Sequence, residues 1–246
     1  MRTANPALNN KTFQQVIPQQ YSDAMTLQGT VNKTMIMLFL VIVGAAYTWG
    51  MFLEQNLQGV LIWMLAGAIG GFIVAMVTVF KKEWSPVTAP IYAILEGFFL
   101  GAISSSLNAE FPGIVVQAVA LTFGTAGCLL FAYKSGLIKA TENFKLGVFA
   151  ATGGVALVYL ATIVLGFFHI SIPYIHDSGI IGIGFSLLVV VIAALNLVLD
   201  FDFIEKGAEQ GAPKFMEWYA AFGLMVTLIW LYLEILRLLS KLNSRR

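Results

Sequence analysis

Residues 179–199 read GIIGIGFSLLVVVIAALNLVL, and this stretch contains no charged side chain. Its length is close to the roughly 20 apolar residues that a helix needs to cross the hydrocarbon core of a bilayer. Charge returns directly afterwards, at Asp200 and Asp202. The stretch therefore predicts a membrane-spanning helix whose end is marked by two carboxylates.

Six further stretches are similarly long and mostly apolar. They lie at residues 33–53, 59–80, 87–107, 113–133, 146–168 and 215–239. The connections between them are too short to form a separate hydrophobic core. We therefore predict an all-α polytopic membrane protein with a seven-helix membrane domain at residues 33–240. A polar N-terminal arm at residues 1–32 precedes this domain, and a short basic tail at residues 241–246 follows it.

The composition supports the same class. Apolar residues make up 59% of the 246 residues and charged residues 11%, whereas soluble domains have about 45–50% and about 25%. This balance excludes disordered, disulfide-rich secreted and nucleic-acid-binding proteins. Cys128 is the single cysteine, so it cannot form an internal disulfide. The predicted surroundings are a lipid bilayer, with no nucleic acid as partner.

The basic residues predict the orientation, because cytoplasmic connections are enriched in Lys and Arg. Alternate connections carry Arg2, Lys11, Lys33, Lys81, Lys82, Lys134, Lys139, Lys145, Lys206 and Lys214, and the intervening ones carry none. We therefore expect a cytoplasmic N-terminus, with an arm that lacks the apolar core of a signal peptide. A full seventh crossing places Lys241 outside, and a re-entrant segment would keep it inside; the length of residues 215–239 favours the crossing.

Glu96 lies in the middle of the third apolar stretch. An ionisable side chain at this depth is costly, so it must face the protein interior or a wet cavity. One interpretation is an ion or proton ligand. The other is a neutral, protonated carboxyl group that is hydrogen-bonded to a neighbouring helix. The residues alone leave both open.

The last two stretches carry further acidic residues. Asp200 and Asp202 do not share a helix face, so at most one is expected to point inward, and their spacing alone favours a solvated helix end. Glu234 and Arg237 share a face. They form either a local ion pair or a pore carboxylate gated by a competing partner. Glu217 is predicted to lie at the membrane interface beside aromatic residues.

Small and polar residues within the stretches indicate helix packing. Glycines recur at a spacing that allows helices to approach closely. The pairs are Gly67 with Gly71, and Gly97 with Gly101. Asn196 and Thr152 are predicted to form hydrogen bonds between helices. No HExxH, GxSxG or Walker motif occurs, so we expect no enzymatic activity and no cofactor, and we favour a conduit.

The chain resembles the Bax inhibitor family of transmembrane proteins, and it is most similar to the bacterial branch. Three places carry the likeness: NPALN at residues 5–9 with KTF at 11–13, LEGFFLGAIS at 95–104, and FD at 201–202 followed by LYLE at 231–234. The likeness extends over the whole chain in length and number of apolar stretches.

The resemblance implies a seven-helix bundle with the last helix central. It also implies a pH-sensitive calcium leak channel or transporter, here in a bacterial inner membrane. In the family, two facing carboxylates on the last two helices act as a pH-sensing latch. Carried over, the latch is Asp202, or Asp200, with Glu234. Such oxygens could bind a passing Ca²⁺ transiently, so the predicted ion pathway comprises these acids and Glu96, with Arg237 as an ion-pair partner.

The resemblance also allows a different class of function. Some members of the family modulate membrane-bound proteases or stress-induced cell death. The protein would then be a regulatory membrane protein that acts through a membrane protein partner. The polar arm from Asn5 to Gln28 would supply the contact.

Overall fold

The computed structural model describes residues 24–168 and 179–245. Most of the predicted N-terminal arm lies outside these residues. The helices are α1 (Leu27–Leu53), α2 (Leu57–Phe80), α3 (Ser85–Glu110), α4 (Ile114–Lys134), α5 (Glu142–Phe167), α6 (Ile180–Glu209) and α7 (Met216–Asn243). A single 3₁₀ turn, Lys82–Trp84, precedes α3. Within the described residues there is no β-strand, only an isolated bridge between Ala24 and Pro213.

All seven helices are long and apolar enough to cross a membrane, which confirms the predicted all-α fold. Two boundaries differ clearly from the apolar stretches. Helix α1 begins at Leu27, because Thr26 caps it by accepting a hydrogen bond from the backbone N–H of Gly29 at 2.9 Å. Helix α6 continues to Glu209, ten residues beyond the last apolar residue of its stretch, Leu199.

Helix α7 is the most buried of the seven. In its most apolar stretch, 56% of the residues are buried, against 11–22% in α1, α2, α4 and α5. Among the described residues, the only large apolar side chain that α7 exposes is Leu242, whereas those four helices expose many along their length. Exposed apolar faces suit contact with lipid. The burial of α7 agrees with the central place that was predicted for the last helix.

The described residues divide into two compact units. The first unit contains α4, α5, α6 up to Phe201, and α7 from Thr227. The second contains α1, α2, α3, the end of α6 from Asp202, and the start of α7 up to Val226. Helices α6 and α7 therefore each contribute to both units.

Glycine contacts hold the second unit together, as their spacing predicted. A Cβ atom added to Gly97 on α3 would lie 2.5 Å from the carbonyl oxygen of Val41 on α1. One added to Gly67 on α2 would lie 2.5 Å from the carbonyl oxygen of Leu95 on α3. No side chain fits at these distances. The glycines are therefore what allows α3 to pack closely against both α1 and α2.

The first unit combines apolar packing with a polar contact. Val155 of α5 packs with Val189 and Ile192 of α6, and Trp230 of α7 lies against this cluster. The amide nitrogen of Asn196 donates a hydrogen bond to the hydroxyl oxygen of Thr152 at 2.8 Å. This confirms the predicted hydrogen bond between helices.

Candidate functional site

Glu234 lies at the centre of a hydrogen-bonded cluster in the first unit. Its side chain is only 2% exposed. The hydroxyl group of Tyr159, on α5, donates a hydrogen bond to Oε1 at 2.8 Å. Nη1 of Arg237 lies 3.0 Å from Oε1 and 3.1 Å from Oε2, and it also donates to the Tyr159 hydroxyl at 2.7 Å. One guanidinium nitrogen thus contacts all three oxygens.

Arg237 differs from its partner in exposure. Its side chain is 44% exposed, and its guanidinium carbon lies 5.3 Å from the centre of the Tyr159 ring. The structure therefore contains the local ion pair that was one interpretation of the Glu234 and Arg237 spacing. Because the guanidinium is partly exposed and the carboxylate is buried, Arg237 is the more easily displaced member of the pair.

Sequence reasoning did not identify Tyr159. It lies 75 residues before Glu234 in the chain. Nothing in the pattern around a tyrosine within an apolar stretch distinguishes a lipid-facing ring from a carboxylate partner. Only the packing of α5 against α7 shows this contact.

A second cation lies further along α7. Lys241 is buried, and its Nζ donates hydrogen bonds to the carbonyl oxygen of Gly182 at 3.1 Å and to the hydroxyl of Ser186 at 3.0 Å. Residue 241 was assigned to the basic tail, but it belongs to α7. The contacts join the end of α7 to the start of α6, so these two helices run antiparallel here.

Asp200 and Asp202 do not form a solvated helix end, and this expectation was wrong. Both side chains are buried within α6. Both carboxylate oxygens of Asp202 lie 2.8 Å from Nζ of Lys206, one turn later. The helix continues because apolar residues follow the acids, and Phe203 and Ile204 are themselves buried. Hydropathy alone did not reveal that the carboxylates belong to the interior.

Glu96 is half-buried on α3, in the second unit. Its side chain is hydrogen-bonded to Tyr92, one turn earlier. A Cβ atom added to Gly71 on α2 would lie 3.1 Å from Oε1 of Glu96, so the carboxyl group packs over this glycine. The carboxyl group thus has a hydrogen-bonding partner on its own helix.

Glu217 is predicted to lie at the membrane interface, and its side chain is fully buried within the protein. Oε2 lies 3.2 Å from Nζ of Lys33, and Oε1 lies 3.2 Å from Nζ of Lys214. The backbone N–H and the hydroxyl of Thr26 also donate to Oε1, at 3.0 and 2.9 Å. The burial arises because α1 begins directly beside this carboxylate.

The two acids of the predicted latch share a local arrangement. Asp202 and Glu234 are each followed, one turn later on the same helix, by a basic residue that contacts both carboxylate oxygens. The pairing of the two acids with each other stays a prediction. Across residues 24–168 and 179–245, no group of three or more His, Cys, Asp or Glu side chains could hold a metal ion.

A family model described as Bax inhibitor 1 like matches residues 5–244, nearly the whole chain. The chain belongs to the Bax inhibitor 1 like family. A search of curated protein sequences gave no match. The stretches behind the resemblance have distinct places in this Bax inhibitor 1 like protein. Residues 95–104 supply the glycine contacts of α3, and residues 231–234 lead into the Glu234 cluster.

Proposed function

We propose that this Bax inhibitor 1 like protein is a pH-sensitive calcium leak, with Ca²⁺ as the transported ion. The membrane is a bacterial inner membrane, and the N-terminus is cytoplasmic. The proposal includes no catalytic activity and no cofactor. The observation that carries it is the buried carboxylate of Glu234, on the most buried helix, held by a partly exposed arginine.

Glu234 is an ionisable residue within a membrane-spanning helix. A charged carboxylate within a membrane-spanning helix is unfavourable unless it is paired, so such residues usually mark ion pathways. Glu234 is paired with Arg237, which contacts both of its oxygens. Oxygen ligands of this kind are those that Ca²⁺ prefers. A calcium ion and the guanidinium group therefore compete for the same two atoms.

The same geometry supports a dependence on pH. Protonation of Glu234 would remove the negative charge that holds Arg237 and that attracts a cation. The chain also buries Asp200 and Asp202 on α6, the second of which is held by Lys206. Substitution of Asp202 separately tests whether it forms the latch that the resemblance implies.

The experiment is Ca²⁺ flux into dye-loaded proteoliposomes that contain the purified protein, measured over a pH series. The variants are Glu234→Gln and Asp202→Asn, which keep side-chain size and remove the charge. Glu209→Gln is the matched control, because Glu209 is an exposed acid at the end of α6. We expect pH-dependent flux in the parent, flux lowered about tenfold in Glu234→Gln, which corresponds to about 1.4 kcal/mol in the barrier, and unchanged flux in the control.

Flux that equals that of empty liposomes at every pH would contradict the proposal. The regulatory membrane protein would then become the better explanation. Unchanged flux and pH response in both the Glu234→Gln and Asp202→Asn variants would instead show that the protein conducts Ca²⁺ but that these two acids take no part in conduction.

A further inference from the structure

The start of α1 is joined to the start of α7 by a contact that we call the Glu217 clasp. It consists of residues 24–33 on one side and residues 212–217 on the other. Four groups of Thr26, Lys33 and Lys214 contact the Glu217 carboxylate at 2.9–3.2 Å. Thr26 and Glu217, which meet here, are 191 positions apart in the chain.

Thr26 has two roles in the clasp. Its hydroxyl oxygen accepts the N–H of Gly29, which caps α1, and its hydroxyl hydrogen is donated to Glu217. Gly29 leaves room for this carboxylate, because an added Cβ atom would overlap it and the Glu217 side chain would have to move. The carboxylate therefore fits directly against the first turn of α1.

Backbone contacts extend the clasp to a third helix. The N–H of Met25 donates to the carbonyl oxygen of Ala212 at 2.7 Å. The hydroxyl of Ser85, the first residue of α3, donates to the carbonyl oxygen of Phe215 at 3.0 Å. The starts of α1, α3 and α7 are thus held at one place in the second unit.

The clasp is held in part by ion pairs, so it can be opened by removing a charge. One buried carboxylate meets two ammonium groups, and Lys33 also lies 5.8 Å from the ring centre of Trp218. Lys214 is 46% and Lys33 24% exposed. Glu217 is the acceptor of both ion pairs, so removing its charge would end both of them at once. Glu217 is therefore the residue on which the clasp depends.

We propose that the Glu217 clasp is a regulatory lock that holds α7 in the closed position of the conduit. This inference rests on the proposed calcium leak. Helix α7 is continuous from Met216 to Asn243, so Glu217 near its start and Glu234 further along lie on the same helix. In this structure the clasp is formed, and Arg237 is paired with the Glu234 carboxylate. Opening the clasp frees the start of α7 and favours release of this pair.

The test combines hydrogen exchange with Ca²⁺ flux on the full chain in liposomes. Glu217→Gln removes the charge, and Lys33→Gln removes one partner while the carboxylate keeps the other. Glu83→Gln, an exposed acid in the turn before α3, is the control. We expect exchange of the amides of residues 25–33 to become about tenfold faster and basal Ca²⁺ flux to rise severalfold in both variants, but not in the control.

Three results would count against the lock. Unchanged exchange in both variants would show that Glu217 does not hold the clasp closed. Faster exchange with unchanged flux would show that the clasp is an anchor without a regulatory role. Absence of flux in the parent would overturn the proposed leak, and the lock with it, so this failure is distinguishable from the other two. Melting curves for each variant identify any loss of fold.

Discussion

At Glu234, the neighbouring side chains decide what a buried carboxylate can do. Tyr159 and Arg237 contact it from α5 and from the next turn of α7. The acid and the arginine were both identified from the sequence, because charges stand out in an apolar stretch. Tyr159 and the clasp around Glu217 were not, because their partners are 75 and 191 residues away along the chain. Local spacing carries no information on such contacts.

Tyr159→Phe tests the cluster without changing its charge. The variant removes the donor to Oε1 of Glu234 and the acceptor for Arg237, and it keeps the ring. We expect the free energy of unfolding to fall by about 2 kcal/mol, since two hydrogen bonds of about 1 kcal/mol each are lost, and the melting temperature to fall by about 4–8 °C. Thermal unfolding in detergent measures this. Tyr47→Phe is the control, since Tyr47 is exposed; an equal shift in both variants would show that the hydroxyl of Tyr159 contributes nothing.

At the level of helices, apolar length predicted all seven elements, and the ends were least well predicted. A membrane span is defined by its contact with lipid, but a helix ends where its backbone loses its hydrogen-bonding partners. Helix α6 therefore continues past Asp200 and Asp202, whose side chains are buried within the protein. The glycine pairs were predicted to allow close approach, and α1, α2 and α3 meet at them. Which helix meets which could not be predicted, because GxxxG spacing does not specify a partner.

Gly97→Ala tests the packing of α3 against α1. The added methyl group would meet the Val41 carbonyl at 2.5 Å, so backbone must move. Overpacking of this kind costs about 1–3 kcal/mol. Gly124→Ala on α4 is the matched control, because nothing lies within 4 Å of its added Cβ, and there alanine is expected to be neutral or stabilising. Thermal unfolding of the two variants compares them directly, and similar melting temperatures would contradict the role of Gly97.

For the whole molecule, the length of α7 favours seven crossings of the membrane. It is continuous over 28 residues, about 42 Å at 1.5 Å per residue, which exceeds the roughly 30 Å of the hydrocarbon core. A re-entrant segment would need a break, and none occurs between Met216 and Asn243. Seven crossings place the α6–α7 connection and the C-terminal end on opposite sides. The central place of α7 was implied by the resemblance, and its burial agrees with this.

Cysteine labelling tests this topology. In a Cys128→Ser background, single cysteines are introduced as Gln210→Cys and Ser244→Cys, both at exposed positions. With the proposed cytoplasmic N-terminus, we expect a membrane-impermeant maleimide to label position 244 in intact cells and position 210 only after permeabilisation. Labelling of both positions from the same side would contradict seven crossings.

The most direct test of the account is the epistasis between Glu234 and Arg237 in Ca²⁺ flux through proteoliposomes. We expect Arg237→Gln to raise flux, because it frees both carboxylate oxygens for the cation. We expect Glu234→Gln to lower flux, and the double variant to behave like Glu234→Gln alone. A double variant that conducts as well as Arg237→Gln would show that the ion does not pass by Glu234, and would contradict the central claim.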